Sequence, residues 1–145
     1  MSLTPLEALC ASKRLHYERF SEKTVYVKTS STSGMIYGVY LSPMDRETIR
    51  TMAEISIAGR KIPSVLAACK GVGAISGKRV NAVLAEKEQK IRLLSTTQTK
   101  YLVENIDNFT DICDSFDAFL KVAEHTGTWD NNLLLLALVD AGNLQ

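Results

Sequence analysis

The chain has 145 residues, 46% of them hydrophobic, and a formal net charge of +1. That length supports one domain with a real core, and the longest apolar run, Leu133 to Val139, is far too short to span a bilayer. Three cysteines (Cys10, Cys69, Cys113) are odd in number and lack metal spacing, so they read as buried thiols in a reducing compartment, and there is no recognisable secretory signal.

The elements are read in chain order. Thr4-Pro5-Leu6-Glu7 is a capping box with proline at the first helical position, opening a helix to about Ser21. Lys13, Arg14 and Arg19 give it some presequence character, against which Glu7 and Glu18 weigh. Lys23 to Thr29 and Met35 to Leu41 alternate as strands around a polar loop and form a small β-hairpin. Tyr26, Tyr37 and Tyr40 suggest a base-stacking platform, but aromatics on a lone two-stranded ribbon are more often packing. Ser42 to Asp45 caps a helix to about Ile57, striped by Ile49, Met52, Ala53 and Ile57, and Gly59 is its stop.

The stretch after Gly59 carries the strongest pattern. Leu66 and Cys69 precede Gly71-Val72-Gly73, and Gly77 and Val80 follow, which is the spacing of a helix–hairpin–helix motif. On that reading the glycines permit positive φ, Val72 locks two helices together, and the loop amides face one oxyanion. Lys70, Lys78 and Arg79 stand beside it, so the expected ligand is a nucleic-acid phosphate. A Walker loop fails, because five residues separate Gly71 from Gly77 and Arg79 replaces the hydroxyl; the dinucleotide fingerprint fails at Ser76. The plain alternative is a glycine turn between two core helices.

The second motif helix is expected to run to about Leu94, with Lys87, Lys90 and Arg92 extending a basic surface. After a turn at Ser95 to Gln98, helices are expected around Leu102 to Ile106, from Thr110 to about Glu124, and from Leu133 to Ala141. Charge divides along the chain: residues 60–100 hold nine basic and two acidic side chains, residues 101–145 one basic and eight acidic. Such a split suggests a polyanion on one side and a basic partner on the other. His16 and His125 have no ligand-spaced neighbours, and no nucleophile has a visible base, so neither an enzyme nor a cofactor nor a metal is expected. Asp111, Asp114 and Asp117 share part of a helix face and read as a solvated or partner-facing stripe sooner than as a cation site.

The central stretch resembles the universal S-thirteen family of the small ribosomal subunit head. Ile57-Ala58-Gly59 before Arg60-Lys61-Ile62, then Leu66, Ala68 and Lys70 to Gly73, then Gly77, Val80 and Val83-Leu84, and finally Leu94-Ser95 with Leu102 and Ile106 follow its order, over roughly residues 55–109. The resemblance implies a mainly α fold with a small β-hairpin: an extension at 1–58, a helix–two-turn–helix core at 59–109, and an acidic helix pair at 110–145. It implies a structural protein that binds rRNA through Arg60, Lys61, Lys70, Gly71, Gly73, Lys78, Arg79 and Lys87. The implied partners are S-nineteen-type head proteins and an L-five-type bridge protein, with no membrane. The family's basic tail is missing and residues 1–50 are extra, which fits a mitochondrial ribosome, with the cytoplasm as alternative. The rival readings are a helix–hairpin–helix DNA-binding accessory protein and a protein-interaction module.

Overall fold

The computed structural model describes residues 3–29 and 31–126. In order it contains α1 (Pro5–Ser12), β1 (Tyr17–Arg19), β2 (Val25–Lys28), β3 (Gly38–Pro43), β4 (Thr48–Ser56), α2 (Ile62–Ile75), β5 (Val80–Ala85), β6 (Lys90–Gln98), a 3-10 turn (Thr99–Tyr101) and α3 (Leu102–Thr126). The strands form one antiparallel sheet in the order β1-β2-β3-β4-β6-β5. This corrects the mainly helical expectation and removes the helix–two-turn–helix core.

Two segments expected as helices are strands, for the same reason. In β4, Ile49, Thr51, Ala53 and Ile55 alternate into the core. The apparent helical stripe took Met52 from the opposite face and passed over Thr51, whose hydroxyl disguises the period of two. Thr51 is fully buried, and its hydroxyl accepts from the Asn105 side-chain amide at 3.3 Å. The supposed second motif helix is the β5–β6 hairpin. Val80, Ala82 and Leu84 share one face with Ile91, Leu93 and Ser95, and the register runs unbroken from Val80 opposite Ser95 to Ala85 opposite Lys90. Glu86 to Gln89 make the turn. The Glu88 N–H donates to the Ala85 carbonyl at 3.2 Å, and Gln89 sits at φ 54°.

Elsewhere the local signals hold in part. The Thr4–Glu7 capping box is present, but α1 stops at Ser12 and Arg14 turns the chain at φ 59° into β1. The first hairpin exists as β2 and β3, inside a larger sheet. Thr110 does not cap a separate helix: its hydroxyl donates back to the Ile106 carbonyl at 2.9 Å within the single 25-residue α3. The helix expected at Leu133 to Ala141 lies outside the described residues.

All three helices cover the same face. α3 supplies Leu102, Phe109, Phe116, Phe119 and Leu120, which bury fully against Leu41, Ile49, Ile55, Ile91 and Leu93 of the sheet. α2 packs on β5 and against α3. α1 joins through Leu6 and Cys10 and through Arg19, whose Nε donates to Glu7 at 3.0 Å and holds that carboxyl below its ordinary pKa.

The Gly-Val-Gly stretch is not an elbow. Gly71, Val72 and Gly73 are consecutive residues of α2, with Gly71 and Val72 buried. Gly71 is small for packing: a Cβ there would stand 2.8 Å from the Phe119 ring. The turn is made later, by Gly77 at φ 61° and Lys78 at φ 66°, with the Lys78 N–H on the Gly73 carbonyl at 2.9 Å.

The two glycines therefore part under substitution. Gly71→Ala overpacks against Phe119 and costs about 1–3 kcal/mol, whereas a Cβ at Gly73 meets open space and Gly73→Ala stabilises by about 0.5–1 kcal/mol. Urea denaturation of both variants measures the split; equal effects would contradict this packing.

Candidate protein-docking face

The residues expected to hold rRNA phosphates do not form one spot. Arg60 stands before α2 and is ion-paired with Glu124 near the end of α3. Lys61 is the N-cap residue of α2, exposed, and Lys70 lies exposed in its middle. Gly71 is covered and Gly73 is half-buried in the helix. Lys78 and Arg79 follow the far end of α2, where the Arg79 Nε donates to the Ser76 carbonyl at 2.9 Å. Lys87 lies in the β5–β6 turn, at the other end of β5 from Arg79. Fourteen helical residues, about 21 Å, separate the first pair from the last. The buried amides of Gly71 and Val72 offer no cradle for an anion.

The acidic stripe of α3 is also divided. Asp114 reaches the loop between β2 and β3 and accepts four hydrogen bonds. Thr32 gives its N–H at 3.1 Å and its hydroxyl at 2.8 Å; Ser33 gives its N–H at 3.1 Å and its hydroxyl at 2.7 Å. Partial burial pushes the carboxyl pKa up, but these bonds outweigh it and the net shift is downward. Asp117 is buried and pairs with Lys121 at 2.9 Å, while Asp111 is exposed. Among the described residues no acidic, histidine or cysteine cluster could hold a metal. Burial raises the thiols of Cys10 and Cys69 to about 11 and that of Cys113 to about 12, so all three stay protonated near neutrality.

What the sheet does present is its second face, which no described helix covers. Alternation places one directly opposed row across all six strands: Glu18, Tyr26, Tyr40, Met52, Leu94 and Asn81. Four of the six are aromatic or aliphatic. Phe20, 64% exposed, stands edge-on to Tyr40 with ring centroids 5.0 Å apart, and Tyr26 lies tilted against Tyr40 at 5.0 Å. The Tyr26 ring occupies the space above Gly38, where a Cβ would come within 2.4 Å of it. Between Phe20, Tyr40, Met52, Leu94 and Arg50 lies an open depression of about 470 Å³. Val83 adds a 47% exposed side chain beside Arg92.

The polar side chains around this row are balanced. Lys28 pairs with Glu18 at 3.4 Å, Lys90 with Glu54 at 3.3 Å, and Arg92 with both Glu54 at 3.8 Å and Glu88. The face is thus an apolar strip whose charged border is largely paired, with the exposed Arg50 beside the depression in no ion pair among the described residues. Sequence reasoning missed it because Met52 and Leu94 were assigned to helices, which left Tyr26 and Tyr40 on a ribbon without neighbours.

No family model and no curated protein matches the sequence. The fold does match a crystal structure of YbjN from E. coli, a proposed transcription regulator, with TM-score 0.58 and 9% identity, covering 83% of this chain and 90% of that one. That neighbour corrects the S-thirteen resemblance: the shared architecture is YbjN-like and rich in β-structure, and the ribosomal helical-domain description does not apply. The likeness is one of fold.

Asp114 gives a pH prediction. Its folded pKa is depressed, so its stabilisation is complete above about pH 4, the unfolded aspartate value, and is lost as pH falls through the lower folded value. Asp114→Ala removes an acceptor for four donors and costs about 1–3 kcal/mol at pH 7. Thermal unfolding against pH should show a steeper acid decline in the wild type than in the variant; parallel curves would show that the clamp is not formed.

Proposed function

We propose that the chain is a protein-interaction module, and that its uncovered sheet face receives an apolar or aromatic segment of a partner protein. One observation carries this reading: Tyr26, Tyr40, Met52 and Leu94 form a row across the centre of the sheet that stays only half-buried, with the exposed Phe20 beside it. Central strands usually bury their apolar side chains; a partly uncovered apolar band of this kind suits a contact surface. Aromatic and methionine side chains are those enriched where proteins meet.

The charge pattern favours protein over nucleic acid. A polyanion gains affinity by releasing counterions to available cations. On this face Lys28, Lys90 and Arg92 already face carboxylates, so a phosphate strand would find Arg50 without a carboxylate but would have to break the other pairs. A neutral apolar segment breaks none of them.

A photo-crosslinking phenylalanine at Tyr40 tests the reading, with the same group at Lys70 on α2 as control. In native extract the Tyr40 position should give an adduct that is protease-sensitive and nuclease-resistant, and Met52→Asp with Leu94→Asp should remove it. A nuclease-sensitive adduct, or equal labelling at Lys70, would reject the proposal.

A further inference from the structure

The two edges of the sheet are built differently. β1 has three residues and carries Glu18 and Arg19, the usual way an edge is blunted against further pairing. β5 has six residues, Val-Asn-Ala-Val-Leu-Ala, with no charge, no proline and no bulge in its register with β6. Among the described strands it pairs with β6 alone, so one row of its backbone N–H and C=O groups has no ladder partner, the Val80 N–H at its start donating instead to the Ser76 hydroxyl at 3.2 Å. An edge of this kind is a template for another strand.

The helix above this edge is apolar on its outer flank. Gly71 marks the side of α2 that meets α3. Leu66 lies about 140° around the helix from it, and Ile62, Cys69 and Gly73 share that flank. Leu66 is 45% exposed, and nothing stands over Gly73.

We infer that the β5 edge pairs with the β5 edge of a second copy of this chain, antiparallel about a two-fold axis at Ala82. The occupant is chosen by charge. The strand is preceded by Lys78 and Arg79 and followed by Glu86. Antiparallel pairing centred on Ala82 sets Lys78 of one copy opposite Glu86 of the other, twice by symmetry. It also sets Val80 opposite Leu84, both on the helix side, and Asn81 opposite Val83, both on the open side. An isologous contact must be self-complementary in this way. Because the axis is perpendicular to the sheet, both helical layers fall on one side, and the Leu66 flanks of the two α2 helices face each other over the junction. The result is a continuous twelve-stranded sheet whose open faces join. The pairing is independent of what docks on that face.

Sedimentation velocity on the full chain decides the matter. The wild type should sediment as a dimer at micromolar concentration. Lys78→Glu should weaken dimerisation about tenfold or more, and adding Glu86→Lys to the same chain should restore it. Leu66→Asp, at an exposed site that the fold does not need, should also give monomer with an unchanged circular dichroism spectrum. Met52→Asp with Leu94→Asp should remain dimeric, which separates this contact from the docking face. A monomeric wild type would overturn the inference, as would a dimer indifferent to Lys78→Glu, or a charge-swapped chain that stays monomeric.

Discussion

Phe119 resting on the bare backbone of Gly71 is the contact on which the rest of the arrangement depends. It lets α2 and α3 approach closely enough to form one continuous layer. That layer then covers Val25, Leu41, Ile49, Ile55, Ile91 and Leu93 on a single side of the sheet. A side chain at Gly71 would push α3 outward, and three phenylalanines with it. Because the described helices are all spent on one face, the other is left to the solvent and to partners.

The open face and the core face are written into the same strands, one residue out of step. β4 shows this most plainly: Ile49, Thr51, Ala53 and Ile55 go inward, while Arg50, Met52 and Glu54 go outward. Register is consequently under strong constraint, since a slip of one residue would bury Arg50 and Glu54 and expose the isoleucines. The ion pairs of Glu54 with Lys90 and Arg92 add modestly on an accessible surface. Their larger effect is to neutralise the border of the apolar row on the Lys90 and Arg92 side. Gly38 serves the same face differently, as the gap over which the Tyr26 ring lies.

The glycines show how a motif misleads when the backbone is unknown. A Gly-Val-Gly run near basic residues is compatible with a phosphate-binding elbow and equally with a close helix crossing. The distinction rests on φ and on what lies above each Cα. In this fold Gly71 is covered by an aromatic ring and Gly73 is open, and the residues that do turn the chain are Gly77 and Lys78. The cations then spread along α2 and β5 instead of converging. The resemblance to a ribosomal protein rested on order along the chain, and order alone does not specify whether Val80 to Leu94 is one helix or two strands.

Some of this protein was legible without coordinates. The capping box at Thr4, the β2–β3 hairpin, the helix over Leu102 to Ile106 and the burial of Cys10 and Cys113, though not of the half-buried Cys69, were within reach of the residues themselves. The six-stranded sheet was not, because Thr51 and Ser95 occupy core positions with polar side chains and because Val83 and Leu94 of the open face complete a helical period with Val80, Leu84 and Ile91 of the core face. Only tertiary pairing separates the two: β6 begins 34 residues after β4 ends, and their nine-residue register is a long-range fact. The same pairing brings Tyr40, Met52 and Leu94 into one row, so the candidate docking face comes into being when three distant segments lie side by side.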